Sequence, residues 1–187
     1  MKKVTIAVFV CLALMYYVSV SAEQKAPQQI IHLANTTLVK LGVDSVIVKA
    51  VKTENAKGKT LQEIQEMDKK WRATPGIADF MQTLMESECG QYLRRLQQTT
   101  PYYAEIFVMD NQGANVCMTN KTSDYWQGDE AKFLQTFKGS TGEVHISDIE
   151  FDDSAQTNLV QVSVPVQDGD STIGAMTIGI DIDKMPQ

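Results

Sequence analysis

Tyr125 and Trp126 stand side by side in "TSDYWQGDEAKF" (122–133), flanked by acids and a glycine. Rings in so polar a stretch plug a core, cover a partner or wall a pocket. In a pocket, the face of Trp or Tyr attracts a ligand cation by roughly 0.5–2 kcal/mol. A micromolar ligand needs about 8 kcal/mol, so an aromatic wall must act beside a charged group. Other chemistry is poorly supplied. The only histidines, His32 and His145, lack the paired spacing of a zinc site. Asp148, Glu150, Asp152 and Asp153 offer oxygens, but without the glycine-punctuated loop of a calcium site. A solvated turn is the better reading there, and no metal is expected. No serine or cysteine has the motif of an activated nucleophile, and "GSTGE" (139–143) is a turn, not a phosphate loop. Neither a catalytic residue nor a cofactor is expected.

The chain opens "MKKVTIAVFVCLALMYYVSVSAEQ", with two lysines, an apolar run and a small-residue site. That order is a secretory signal peptide of bacterial type spanning 1–22, with cleavage expected after Ala22. A retained membrane anchor is the rival reading, although the run is short for a bilayer. Removing 22 of the 187 residues leaves 165, enough for one domain over 23–187. Loss of Lys2 and Lys3 moves the formal net charge from −6 to −8. Nucleic acids and anionic membranes call for a basic footprint, so both are excluded as partners. Cys89 and Cys117 remain. Export permits one disulfide between them, and two buried thiols are the alternative.

The elements fall into helices followed by strands. Apolar spacing predicts a helical stretch from Pro27 to about Val51, which Gly42 bends or interrupts. Thr60 and Glu63 form a capping-box pattern for a helix ending near Trp71. A stripe from Ile77 to Leu96 continues the helical region, 27–98 in all. After Pro101 the period falls to two. "AEIFVMD" and "NVCMT" read as a hairpin about "DNQG", followed by a short helix at 129–137. "EVHISDIEF", "NLVQVSVPVQ" and "TIGAMTIGIDI" complete a sheet region over 102–183. Pro165 should lie at an edge or bulge. The fold class is α+β: a five-stranded antiparallel sheet with long N-terminal helices on one face.

This arrangement resembles the single Cache (PDC, extracytoplasmic PAS-like) sensor domain over residues 30–183. The residues behind the resemblance are "EIFVMDNQGANVCMT", "DYWQGDEAKF" and "VPVQDGDSTIGAMTIGIDIDK". Asp110 to Gly113 match the family's Asp-x-x-Gly turn, and Pro165, Val166, Gly174, Gly179 and Asp181 its closing hairpin. The resemblance implies a ligand pocket between the sheet and the loops after the first hairpin. Tyr125 and Trp126 would line it, with Tyr103 entering from the hairpin. Asp124, Asp129 or Asp148 would then meet a ligand amine, and Arg94 or Arg95 a carboxylate; Asp124, Asp148 and Arg95 are the chosen candidates. Receptors of this family continue into a membrane helix, whereas this sequence stops at Gln187. It therefore reads as a free-standing periplasmic or secreted form.

The expected function is binding of a small polar metabolite, an amine or a carboxylate. The signal would pass to a membrane receptor or sensor kinase, with a homodimer as a further partner. The alternative is a ligand-free interaction module that docks through its amphipathic N-terminal helix.

Overall fold

The computed structural model describes residues 25–138, 142–152 and 156–186. The signal-peptide reading at 1–22 lies outside the described residues. Helix α1 (Gln28–Thr36) starts where Pro27 leaves its carbonyl to accept from the Ile30 and Ile31 amides. The chain then tightens into a 3-10 turn (Leu38–Val43) before α2 (Ser45–Asn55), which Asp44 caps by accepting from Val46 N at 2.9 Å. The interruption falls at Gly42, as its sequence position suggested. A Cβ there would sit 2.0 Å from the Pro165 carbonyl oxygen, so only glycine lets this turn meet the sheet.

Helix α3 (Leu61–Ala73) carries the reciprocal Thr60–Glu63 capping box. The stripe at 77–96 is not one helix. It breaks into α4 (Asp79–Glu86) and α5 (Glu88–Thr99), because the Ser87 hydroxyl accepts from Gly90 N at 3.0 Å and starts a new first turn. The side chains of both halves still reach the interior; Met81, Cys89 and Leu93 are buried.

Strands β1 (Tyr103–Met109) and β2 (Asn115–Met118) form the expected hairpin. Asp110 shapes its turn by accepting from Gln112 N and Ala114 N at 2.8 and 2.9 Å, and Gly113 takes φ +84°. After α6 (Ala131–Phe137) come β3 (His145–Ile146), β4 (Glu150–Asp152), β5 (Thr157–Asp168) and β6 (Ser171–Asp181). The antiparallel order is β2-β1-β6-β5-β3, with β4 also on β5. Both short strands lie end to end along one edge of β5, so six strands fill five positions. "EVHISDIEF" is thus one expected strand divided in two. Pro165 pairs with Ala175 of β6, beyond Ser163, the last β5 partner of β3, and so has no strand partner on that side among the described residues.

The two faces of the sheet differ in chemistry. Ile106, Val108, Val160, Val162, Val164, Met176, Ile178 and Ile180 line one face in strict alternation and are fully buried. Ile30, Ala34 and Leu38, with Ile47, Val51 and Leu93, cover them from α1, the 3-10 turn, α2 and α5. The other face carries Phe107, Met109 and Ala175, against which Ile64 and Trp71 of α3, Met81, Tyr125 and Phe133 pack. Helices therefore meet both faces, the long N-terminal pair and α5 on the first.

Cys89 of α5 and Cys117 of β2 are bonded, with Cα atoms 5.8 Å apart. The bridge ties a helix to the outermost hairpin strand and closes a loop between positions 28 apart. Replacing both cysteines by alanine should cost about 2–4 kcal/mol, read as a lower urea midpoint, with a slope that rises as the released unfolded chain exposes more surface. An unchanged midpoint would show that the bridge does not restrain the unfolded chain.

Candidate functional site

Toward one end of the second face the side chains become polar. Glu105 on β1 and Gln161 on β5 lie beside Phe107 and Leu159, and these four form the floor of a cleft of about 660 Å³. Thr122, Ser123 and Gln127 of the 119–130 loop make one wall, with Arg72 of α3 and Lys132 of α6. His145 of β3, Ser147 just after it, and Glu150 and Phe151 of β4 form the opposite rim. A smaller cavity of about 390 Å³ adjoins it between α3 and the loop, sharing Arg72 and Glu130.

The loop wall is fixed by a buried acid. Asp68 of α3 is 3 % exposed, and its Oδ1 accepts from Tyr125 N at 2.9 Å and Trp126 N at 3.2 Å. Its Oδ2 meets Arg72 at 2.5 Å. From the sheet side, Asn115 donates to Thr122 Oγ1 and to the Asp124 carbonyl at 2.7 and 3.1 Å. The Trp71 indole donates to Thr122 O, and the Trp126 indole to Gln112 O, both at 2.8 Å. Each of these bonds satisfies a loop group that would otherwise be buried without water.

The predicted site residues are dispersed by this arrangement. Tyr125 is a core residue, 4 % exposed, with its ring 5.6 Å from that of Trp71, so it walls neither cavity. Lys59 donates to its hydroxyl at 3.0 Å and pairs with Glu54. Burial opposes the lysine charge, but the Glu54 and Tyr125 contacts outweigh it and hold Lys59 above its ordinary value. Trp126 is half-buried and lines only the smaller cavity, as does Asp124, which lies 3.5 Å from Arg72. The pair answers the question of its own sequence as a loop anchor: one ring fills the core and the other clasps the hairpin turn.

Tyr103 falls on the first face, edge-on to Tyr102 at 5.3 Å, and burial pushes its hydroxyl up to about 12. Arg95 is an exposed residue of α5, its guanidinium 6.0 Å from the Tyr92 ring, across the sheet from the cleft. Asp148 sits between β3 and β4 and is absent from the lining of either cavity. Among the described residues no group of three His, Cys, Asp or Glu side chains has metal-site geometry.

The cleft residues were missed because each is a single polar letter in an apolar strand. Glu105 in "AEIFVMD" and Gln161 in "NLVQVSVPVQ" interrupt the runs that mark the strands. The available signal was their phase. Both belong to the face opposite the valines, where a buried polar group needs a partner.

The cleft's charges are unequally engaged. Arg72 pairs with Asp68, Lys132 pairs with Glu130 at 2.9 Å, and Lys121 donates to Thr74 O at 2.8 Å. Glu105 accepts from Gln161 Nε2 at 3.1 Å and makes no ion pair among the described residues. Burial raises its carboxyl above the usual range, which the Gln161 bond and Lys132 offset only in part. Burial likewise holds His145 below its ordinary value, so it is neutral at pH 7.

No protein-family model and no curated protein matches the chain. Among solved structures it is similar to sensor domains. The Vibrio cholerae histidine kinase DctB sensor domain aligns at 13 % identity and a TM-score of 0.41, covering 82 % of this chain and 58 % of that one. The ligand-binding domain of the Campylobacter jejuni chemoreceptor Tlp3, solved with L-valine, aligns at 12 % and 0.41, covering 85 % and 65 %. The Escherichia coli DcuS sensor domain aligns at 16 % and 0.40, covering 66 % and 89 %. The chain thus spans less than two thirds of the DctB and Tlp3 domains.

Asp68→Ala should remove the acceptor for the buried Tyr125 amide and the half-buried Trp126 amide, and destabilise the protein by about 2–4 kcal/mol. Denaturant unfolding measures it. A loss below about 0.5 kcal/mol, the range of a neutral surface change, would show that the loop holds without this anchor.

Proposed function

We propose that the protein is an extracytoplasmic sensor domain whose cleft binds a small polar metabolite, an amine or a carboxylate. The carrying observation is the cleft itself: a polar stretch of the sheet's second face lies under a fixed loop and is not filled by side chains. Its size is within the range of small-molecule sites, roughly 300–1,000 Å³. The buried disulfide suits an oxidising compartment, in keeping with export by a cleaved N-terminal signal to the periplasm or beyond. Of the lining serines, Ser123 donates to the Asp124 carboxylate and Ser147 to the Asp148 carbonyl, and neither bonds to His145 among the described residues, which favours binding over catalysis.

The walls differ in how firmly they are held. The 119–130 loop is tied to α3, β2 and the hairpin turn, whereas β3 and β4 join β5 through only two and three residue pairs. Phe151 of β4 is 58 % exposed at the rim. A ligand that touches both floor and rim gains most when the β3–β4 edge lies inward, and so shifts the population toward a closed form. A membrane receptor or sensor kinase that binds the two forms unequally would read the shift. The interaction-module alternative loses its surface, because the apolar stripe of α1 and α2 is buried against the sheet at Ile30, Ala34, Ile47 and Val51.

Metabolite pools screened by thermal shift should contain a compound that raises the melting temperature with concentration. Ala131→Trp places a large ring at the exposed cleft wall, away from the core. It should leave stability within about 0.5 kcal/mol and abolish the ligand-dependent rise. A rise that survives in this variant would place binding elsewhere.

A further inference from the structure

Three residues stand in one row across the central strands: Glu105 on β1 is opposite Gly179 on β6, which is opposite Gln161 on β5. A Cβ on Gly179 would lie 2.7 Å from Glu105 Cγ and 3.2 Å from its Oε1. The missing side chain therefore lets the glutamate lie flat across the middle strand until Gln161 reaches it. Among the described residues the one direct partner of this carboxylate is thus a neutral amide, with Lys132 acting on it only from beyond ion-pair distance. A stability role would favour a cation or an apolar pair at this spot, since a partly desolvated carboxylate without a counter-charge is unfavourable.

An unpaired acceptor lies buried within the loop wall. Gln127 is 1 % exposed, and its Nε2 donates to the Asp124 carbonyl at 2.9 Å. That bond fixes the amide's orientation, since only nitrogen can donate to a carbonyl. Its Oε1 is left buried with no hydrogen-bond partner. The floor thus offers a carboxylate whose direct partner is a neutral amide, while Arg72 and Lys132 are ion-paired and Lys121 donates to the Thr74 carbonyl.

We propose that the cleft selects ligands carrying a protonated amine, with the ammonium received by Glu105 where it lies across Gly179. This rests on the cleft being the binding site and names the ligand's recognised group. Glu105 is the specificity-determining residue, Gln161 orients its carboxylate, and Gly179 makes the space. An ammonium supplies the missing counter-charge and three donors in one compact group. A ligand carboxylate at the same point would meet Glu105 as a like charge.

The groups around Glu105 set the pH response. Lys132 of α6 favours its charge, whereas Glu130 and Asp152 of β4 oppose it. Arg72, Lys121, His145 and Glu150 line the rest of the cleft. Ammonium binds the ionised carboxylate, so affinity should fall on acidification while the pH is still above the ordinary glutamate range. Ligand-free stability should move oppositely. The folded protein binds the Glu105 proton more readily than the unfolded chain, so this carboxyl's contribution weakens as pH rises through that window.

The test uses L-norvaline, butylamine (which lacks its carboxylate) and valerate (which lacks its amine), titrated at millimolar concentration by NMR. Norvaline and butylamine should bind and valerate should not. Glu105→Gln should weaken both amines at least about tenfold, while the ligand-free variant melts no lower than the parent at neutral pH. Gly179→Ala, which retains the carboxylate but displaces it, should also weaken amines. Tighter binding of valerate, undiminished amine binding in Glu105→Gln, or failure of all three probes overturns the ammonium site. The cleft reading is judged separately: Ala131→Trp must abolish whatever binding is seen, and if binding persists there, that reading fails as well.

Discussion

Alternation along three central strands determines the rest of this molecule. On β1, β5 and β6 the residues of one phase are Ile106, Val108, Val160, Val162, Met176 and Ile178, all fully buried. Those of the other phase include Glu105, Gln161, Ser163, Thr177 and Gly179. Because strand side chains point to opposite faces with period two, a single strand can seal a dry helix-covered layer and furnish a polar floor at once. Ser163 and Thr177 satisfy each other there at 2.8 Å. Glu105 and Gln161 are joined further along, where the covering elements part and the cleft opens. A shift of one residue in register would exchange the two layers, driving Glu105 under the helices and the valines into the cleft.

The architecture was legible because period and punctuation agree. The capping box at Thr60, the turn at Asp110–Gly113 and the change from helical to alternating spacing after Pro101 each have one local cause, and each appears in place. Where the reading was too smooth, a single side chain or backbone contact intervened. Ser87 starts a new helix within an unbroken apolar stripe, and Gly42 yields to a carbonyl from a strand more than a hundred positions away. The second event depends on tertiary approach, which no local pattern encodes.

The site was less legible for a different reason. Tyr125 and Trp126 drew the eye because large rings in a polar loop demand an explanation, but a ring that anchors a loop and a ring that grips a ligand present the same letters. Burial against Trp71 places the Tyr125 ring in the core, while Trp126 bonds to Gln112 O and lines the smaller cavity. Tyr103 and Arg95 fall on the far side of the sheet because a bulge between Tyr103 and Glu105 and the packing of α5 set their direction. The residues that do meet in the cleft come from β1, β5, α3, α6 and the loop, brought together only by strand order. Their sequence signal is one Glu, one Gln and one Gly in matching phase on three strands.

The most direct test of the cleft is to map a bound metabolite by backbone amide chemical shifts, using whichever compound raises the melting temperature. The account predicts the largest changes at Glu105, Phe107, Gln127, Leu159 and Gln161 and along β3–β4, with the α1–α2 layer quiet. Changes concentrated on α1, α2 or α5, or spread evenly over the surface, would contradict it.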